Sequence, residues 1–247
     1  MKKVSLVILV SIFSLFRGFT QNLVGEVEYR YKIFYDKIYA SQSFISEQEK
    51  DRIMLSWNNK DGYSTRMKLQ FWPEKSLYTY GEDYEVRSYS WRKDDMIISN
   101  NLKEKSLLKL VESMGKTYVI QDVLTPPKWK VMNELREIQG HMCMKALTED
   151  TLKDQKIVAW FAADIPVPTG PEELHGLPGL ILGYDVNDGM LIVEAEKITF
   201  GEPAEEIKFP KKLKGKEVNQ AEYDALVAEF KKIAVKAERS WVWEIRY

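Results

Sequence analysis

Residues 26–35 read EVEYRYKIFY, and this stretch indicates the fold because apolar and charged side chains alternate along most of it. Val27, Tyr29, Tyr31, Ile33 and Tyr35 fall on one face of an extended strand, whereas the charged residues between them fall on the other. A strand of this kind packs one face on a core and exposes the other to water. The stretch therefore predicts an antiparallel sheet with one buried face.

The same alternation recurs along most of the chain, separated by short segments rich in Gly, Asn and Asp that are typical of turns. It predicts an antiparallel meander in which successive strands pair as neighbours. The further predicted strands are Arg52–Trp57, Tyr63–Phe71, Leu77–Tyr80, Glu85–Trp91, Lys116–Gln121, Arg136–Leu147, Lys156–Ala163, Leu180–Val186, Gly189–Phe200 and Trp241–Tyr247.

Two segments predict helices instead. Asn101–Met114 carries leucines at helical spacing, a possible capping box of Asn101 with Glu104, and Gly115 as its stop. Asn219–Lys236 also begins with a capping box and carries an apolar stripe. The expected fold class is therefore α+β and β-rich. We expect one curved antiparallel meander sheet, half-barrel-like and of about ten strands, covered by two helices.

The composition excludes several classes of protein. The chain has 247 residues, 45% of them hydrophobic, which is too apolar for a disordered protein. Its 36 Lys and Arg nearly balance its 37 Asp and Glu, so no nucleic-acid partner is expected. A single cysteine excludes an internal disulfide and any metal site built from several cysteines. We expect no cofactor.

The N-terminus has the layout of a secretory signal peptide. A positively charged start precedes the apolar run Val4–Phe16, which is too short to span a membrane. Small residues then precede a cleavage point between Thr20 and Gln21. We expect residues 1–20 to be removed on export and residues 21–247 to form a single periplasmic or secreted domain that does not span the membrane.

One loop stands out for its composition. Between the predicted strands, residues 164–179 read DIPVPTGPEELHGLPG and contain four of the nine prolines of the chain. Proline fixes φ and glycine permits positive φ, so this stretch is expected to follow one rigid path. Long loops between strands often carry function, but this loop is equally a candidate for a structural crossover that pins two strands.

The motif GLPGLI at residues 176–181 resembles the hexapeptide that names the GLPGLI family of exported Bacteroidota proteins. The resemblance extends upstream through Trp129, residues 138–146 and Ala159–Phe161, and residues 25–29 are similar to the first mature strand of that family. It implies export and a β-rich fold. It implies no activity, because the family is uncharacterised.

Candidate chemistry is sparse. The chain has two histidines and none of the common hydrolase, P-loop or dinucleotide-binding motifs. His141 and Cys143, with the methionines beside them, offer ligands that suit copper. Alternation along a strand separates the methionines from this pair, and His141 stands where the resembled family usually has an aromatic residue. We expect Cys143 to be buried rather than reactive.

His175 lies in the rigid loop beside Glu172 and Glu173. Neighbouring carboxylates favour the imidazolium form, so His175 is a candidate acid, base or pH sensor. The alternative is an ordinary loop histidine with one backbone hydrogen bond. A hydrolase built on Asp164, His175 and Cys143 remains a minor hypothesis.

Three functions stay open. The first is a non-enzymatic binding module for an apolar, lipid-like ligand, with the loop Gly170–Ile181 as the rim of its pocket. The second is a structural protein that docks an envelope protein. The third is a copper-binding or hydrolytic protein that uses His141, Cys143 and His175. The candidate ligand- or partner-binding residues are Pro171, Leu174, His175, Gly176, Leu177, Pro178, Gly179, Leu180 and Ile181.

Overall fold

The computed structural model describes residues 23–56, 59–81 and 96–239. Within them, twelve strands form one sheet and three helices accompany it. The strands are β1 (Gly25–Ile33), β2 (Tyr63–Phe71), β3 (Lys75–Tyr80), β4 (Met96–Asn101), β5 (Ser106–Ser113), β6 (Lys116–Val123), β7 (Lys130–Ile138), β8 (His141–Asp150), β9 (Gln155–Ala162), β10 (Leu180–Val186), β11 (Leu191–Phe200) and β12 (Lys216–Val218). The helices are α1 (Tyr35–Ser41), α2 (Glu47–Ser56) and α3 (Gln220–Lys236).

The predicted fold class is confirmed. The strand order is β12-β6-β5-β4-β3-β2-β1-β11-β10-β9-β8-β7, and only the pairing of β12 with β6 is parallel. The first strand lies in the middle of the sheet, where Gly25 is paired with Phe71 of β2 on one side and with Phe200 of β11 on the other. The predicted alternation matches the burial as far as Ile33, since every second residue of β1 is buried. The prediction is wrong at Tyr35, which begins α1 instead of continuing the strand.

The sheet curves around the loop at residues 164–179. Glu172 of this loop lies beside the Tyr184 hydroxyl of β10. The next residue, Glu173, binds Lys109 of β5. These two strands are six positions apart in the sheet, which would separate them by about 29 Å in a flat sheet at about 4.8 Å per strand. The core therefore lies between a curved sheet and the loop that it surrounds.

The prediction of a helix at residues 101–114 is wrong. Asn101 and Glu104 make one of the two hydrogen bonds of a capping box, from Glu104 N to Asn101 Oδ1 (2.9 Å), and the second bond runs instead from the side-chain Asn101 Nδ2 to Glu104 Oε2 (3.0 Å). These bonds close the turn between β4 and β5 instead of opening a helix. Gly115, expected to stop the helix, has a φ of +72° in the turn between β5 and β6. β5 pairs with β4 on one side and with β6 on the other. This pairing determines the structure of the segment, although its leucines have helical spacing.

The predicted strand Arg52–Trp57 is also wrong over its described residues, because residues 47–56 form α2. Ser46 begins this helix: its hydroxyl accepts a bond from Glu49 N at 3.3 Å. The sequence Ser-Glu-Gln-Glu at residues 46–49 is a helix-start pattern that sequence reasoning missed. Lys50 adds an ion pair with Glu47 at 2.9 Å on the helix surface.

The single strand predicted at Arg136–Leu147 is a hairpin in the structure. Gln139 and Gly140 form its turn with φ values of +52° and +79°, so the chain reverses between β7 and β8. The predicted strand ran through this turn because apolar residues continue on both sides of it.

The C-terminal predicted helix is confirmed as α3. Asn219 and Glu222 form the expected capping box. The buried Tyr223 packs its ring against Tyr118 of β6 at 5.3 Å between centroids. Further along, Lys231 contacts Asp154 in the turn between β8 and β9, so α3 connects β6 with the opposite side of the curved sheet.

Three predictions fall outside the described residues: the signal peptide at 1–20, the strand Glu85–Trp91 and the strand Trp241–Tyr247. Among the helices that the structure describes, none has the length and apolar character needed to cross a membrane.

Candidate functional site

The loop at residues 164–179 is held inside the curved sheet by its backbone. Leu180 N donates to Ile165 O at 2.9 Å, and Ile181 N donates to Thr169 O at 2.9 Å. These bonds fold the start of the loop back onto the start of β10. Thr169 also contacts Ser76 of β3 through a buried bond of 2.7 Å between their hydroxyls. The loop thus follows a defined path that is fixed by bonds to β10 and β3 and that buries most of its side chains.

The candidate residues in this loop divide between the core and the surface. Gly176 and Pro178 are exposed, whereas the apolar side chains expected to contact a ligand are buried. Since those side chains pack against the protein itself, the loop presents little apolar surface for a ligand. The buried candidates are Pro171, Leu174, His175, Leu177, Gly179, Leu180 and Ile181.

Two glycines of the motif are needed for different reasons. At Gly179, an added Cβ would lie 2.2 Å from the Ala162 carbonyl oxygen, so a side chain cannot fit against β9. At Gly176, the backbone has a φ of +88°, which strains any residue with a side chain. The motif therefore acts as a close crossing of two backbone segments, which supports the crossover interpretation of the loop.

A buried ion pair joins the loop to β5. Lys109 is 1% exposed, and its Nζ lies 2.7 Å from Glu173 Oε2. Burial by itself raises the pKa of Glu173, but Lys109 and Lys153 outweigh it and lower the pKa to about 2. The side chain of Glu173 is 35% exposed, so its carboxylate faces both this lysine and a cleft beside α3.

His175 does not carry the charge that its neighbours in sequence suggested. Burial lowers its pKa, and the opposing effect of Glu173 does not reverse this. Its Nδ1 lies 2.8 Å from the Glu173 carbonyl oxygen, which assigns the proton to Nδ1. The His175 carbonyl oxygen accepts a bond from Trp129 Nε1 at 2.8 Å. His175 is thus a hydrogen-bonded loop histidine whose environment favours the neutral form.

His141 and Cys143 lie at the start of β8, away from His175. His141 Nδ1 lies 2.7 Å from Asp164 Oδ2, so the structure pairs Asp164 with His141. Cys143 is buried, its thiol contacts the His141 carbonyl oxygen at 3.5 Å, and burial raises its pKa to about 11. A thiol that stays protonated is a poor metal ligand and a poor nucleophile. Within the described residues, no three His, Cys, Asp or Glu side chains form a group suited to a metal ion.

The opposite, polar face of the sheet contains a groove, because the β7–β8 hairpin folds back over it. Arg136 of β7 forms an ion pair with Glu194 of β11. These strands are four positions apart in the sheet, which is about 19 Å if it were flat. Ile138 at the end of β7 approaches Gly183 of β10: its Cδ1 lies 3.3 Å from where a Cβ at this glycine would stand. The hairpin therefore forms a wall over β10 and β11.

We call the space below this wall the polar groove. It has a volume of about 1200 Å³ and is open to solvent. β10 forms its floor, and the β7–β8 hairpin and β1 form its sides. The lining residues used below are Arg30, Arg136, Trp160, Gly183, Asp185, Glu194 and Glu196.

Trp160 of β9 is an aromatic residue in the lining of the polar groove. It is half-buried and is paired with Gly183 of β10 on one side and with Lys145 of β8 on the other. Two cations flank its ring, with Arg136 at 5.7 Å and Lys145 at 5.9 Å from the ring centroid. A Cβ at Gly183 would lie 3.3 Å from Ile138 Cδ1 and 3.2 Å from the Val193 carbonyl oxygen, so the missing side chain lets Ile138 pack against β10.

Ion pairs order the walls of the polar groove. Arg30 binds Glu196 through two parallel bonds of 2.8 and 2.9 Å, a planar arrangement that fixes both side chains. Arg66 lies 3.7 Å from the same carboxylate. On the floor, burial raises the pKa of Asp185 and Asp188 raises it further, although the backbone bond from Gly189 opposes this. The sequence did not predict this site, because polar side chains on the face of a strand opposite the core normally indicate a face exposed to solvent.

Comparison with protein families gives one match. Residues 147–183 match the model of a family described as a protein of unknown function (Porph_ging). The matched segment runs from β8 through the buried loop to β10. The match fits a Bacteroidota family of uncharacterised proteins. No curated protein matches the chain.

Among solved structures, the chain is similar to PNGF-II in a P21 and in a C2 crystal form, with TM-scores of 0.55 and 0.53. The identities are 15% and 16%, and the alignments cover 83% of this chain and 33% and 32% of those chains. An uncharacterized conserved protein from Thermus thermophilus aligns with a TM-score of 0.39 at 5% identity, over 81% of this chain and 92% of that chain. This chain thus spans about a third of the PNGF-II chain and shares a β-rich fold with that part of it.

Proposed function

We propose that this protein is an exported, non-catalytic binding module of the cell envelope, of the GLPGLI type, whose ligand lies in the polar groove. One observation carries the proposal: the β7–β8 hairpin folds over the sheet and places Trp160 in an open, ordered groove. Clefts with a central aromatic residue and a few fixed polar groups are the usual form of ligand sites.

The ligand class differs from the one expected from the sequence. An apolar ligand needs an apolar pocket, and Leu174, Leu177 and Ile181 of the expected rim are buried in the core. The polar groove is lined by charged groups in ion pairs, which favour a polar ligand. The buried loop then supports the site indirectly, because it holds the curvature of the sheet.

A binding role suits the groups in the polar groove better than a catalytic one. Arg30 and Arg136 are each held by a carboxylate, and these pairs fix side chains in place. Such groups position a ligand by hydrogen bonds, whereas acid–base catalysis needs a group that exchanges protons near neutral pH.

A hydrogen-exchange experiment tests the proposal. The mature chain is incubated with an aqueous extract and, separately, with a chloroform–methanol extract of envelopes from the native organism. We expect the aqueous extract to slow amide exchange in β9 and β10, and Trp160→Ala to abolish that protection. Protection by the organic extract alone, or protection confined to the loop at 164–179, would contradict the proposal. Mass spectrometry of the protein from cells tests export, with an N-terminus at Gln21 as the expected result.

A second candidate is docking of an envelope protein on the β7–β8 hairpin. Leu135 and Met142 are 62% and 54% exposed there, although both are large and apolar. A Leu135→Lys variant should lose the partner in a pull-down if docking occurs at this hairpin. Retention of the same partners by that variant would remove this candidate.

A further inference from the structure

The charge of the polar groove selects against an anionic ligand. Among the described residues that line it are five carboxyl groups and three cations. Two of the cations, Arg30 and Arg136, are already bound to Glu196 and Glu194. Recognition of a phosphate or carboxylate needs cations that are available to it, and this groove offers an excess of negative charge instead.

The surroundings of the Trp160 ring disfavour a cationic ligand. Arg136 and Lys145 both lie within 6 Å of the centroid of the Trp160 ring, at 5.7 and 5.9 Å. A ligand cation on this ring would meet two like charges at short range. The groove therefore suits a ligand without net charge.

The walls of the groove suit a ligand rich in hydroxyl groups. A hydroxyl donates one hydrogen bond and accepts two, so it satisfies a guanidinium and a carboxylate at the same time. The pairs Arg30–Glu196 and Arg136–Glu194 place such donors and acceptors side by side. A carboxylate keeps free lone pairs after binding an arginine, so the pair remains intact while it binds a hydroxyl.

Trp160 provides the complementary apolar contact. A pyranose ring carries hydroxyls around its edge and C–H groups on its faces, and the C–H face needs an apolar surface. The indole of Trp160 is such a surface, and it is half-buried in the lining of the groove. The groove volume of about 1200 Å³ exceeds the roughly 300–1,000 Å³ of clefts that hold drug-sized ligands, so it has room for several sugar units.

Resting on the binding function proposed above, we propose that the ligand of the polar groove is an uncharged oligosaccharide, with one sugar ring against Trp160 and its hydroxyls on the two arginine–carboxylate pairs. This inference specifies the ligand class of the same site.

Saturation-transfer NMR with defined probes tests the ligand class. The sugar probes are the hexasaccharides cellohexaose, maltohexaose, mannohexaose, xylohexaose and chitohexaose. The other probes are pentalysine, hexagalacturonate and the uncharged peptide (Gly-Ser)₃. We expect binding of at least one of the sugars, with saturation strongest on the C–H face of one ring, and no binding of the charged probes.

Substitutions at two tryptophans, Trp160 and the control Trp72, localise the binding. Trp160→Ala should weaken sugar binding at least tenfold, and Trp160→Phe should recover part of it. Trp72 is the control, because it also has a lysine over its ring, Lys75 at 4.3 Å, but lies at the far end of β2. Trp72→Ala should change the affinity less than twofold.

The outcomes separate this inference from the proposed function. Failure of every sugar to bind overturns the oligosaccharide class, and so does sugar binding that survives Trp160→Ala. If pentalysine or (Gly-Ser)₃ binds instead and depends on Trp160, the groove remains a binding site and only the ligand class is wrong. If the aqueous extract also fails to protect β9 and β10, the proposed function falls with it.

Discussion

The Tyr29 hydroxyl donates a buried hydrogen bond of 2.7 Å to the carbonyl oxygen of Ile181, the last residue of the GLPGLI motif. The two residues are 152 positions apart in the chain. This bond joins the central strand of the sheet to the point where the buried loop enters β10. It also explains why a polar hydroxyl is tolerated in the core, since burial of an unpaired hydroxyl is costly.

Tyr29→Phe should therefore destabilise the protein by about 1–3 kcal/mol, because it leaves a buried carbonyl without its donor while the ring remains. Urea unfolding followed by circular dichroism measures the change. A variant as stable as the wild type would show that the Ile181 carbonyl finds another donor.

Glu173→Gln should make the protein less stable near neutral pH and less sensitive to acid. The pKa of Glu173 is lowered from 4.5 to about 2, so its ion pair with Lys109 stabilises the fold above pH 4.5 and is lost as the pH falls towards 2. Loss of a fully buried pair costs roughly 3–5 kcal/mol, and we expect about 2 kcal/mol here because Glu173 is 35% exposed.

Urea unfolding at several pH values between 7 and 2 tests this. The curves of wild type and Glu173→Gln should converge as the pH falls from 4.5 to 2. Glu74→Gln is the control, because its pair with Lys103 is exposed on both sides and should contribute less than about 1 kcal/mol. Parallel curves for wild type and Glu173→Gln at all pH values would refute the assignment.

Gly179→Ala should destabilise the fold by about 3 kcal/mol or more, because its Cβ would lie 2.2 Å from the backbone oxygen of Ala162. Gly140→Ala is the matched control. Nothing lies within 4 Å of a Cβ at Gly140, so only its φ of +79° opposes the change, at about 1–2 kcal/mol. Thermal unfolding of the two variants compares them directly, and equal effects would mean that the crossing of loop and β9 adjusts freely.

Cys143 should react slowly with iodoacetamide at pH 8 in the folded protein. Burial raises its pKa to about 11, so almost no thiolate is present. In urea the same thiol should react at the rate of an exposed cysteine. Rapid labelling of the folded protein would show that the start of β8 opens readily.

The sequence allows the sheet to be predicted well and its turns less well. Alternation from Glu26 predicted the first strand correctly as far as Ile33, because burial on one face leaves a direct signature, but the prediction ran on to Tyr35, which begins α1. The prediction from Asn101 and Glu104 was wrong because the bond from Glu104 N to Asn101 Oδ1 can begin a helix or close a hairpin turn. Which of these forms depends on whether neighbouring strands are present to pair with, and this is not a local property of the sequence.

The polar groove was beyond prediction for a related reason. Arg136 and Glu194 look like ordinary solvated residues on separate strands. Only the coiling of the β7–β8 hairpin brings them together, and that coiling depends on packing around Ile138 and Gly183. The loop at 164–179 was predictable as rigid, from its prolines and glycines, but its burial was not.

The pairing of β1 with β11 has a consequence for how the chain folds. Gly25 is paired with Phe200 in the middle of the sheet, so β1 lacks one of its two neighbours until residues 191–200 are available to pair with it. Contacts between such distant residues must overcome a large loop-closure entropy, which slows folding. The N-terminal half cannot complete its core early, because the segment around which it curves is encoded near residue 170. We therefore expect a single late, cooperative folding step rather than stepwise folding from the N-terminus.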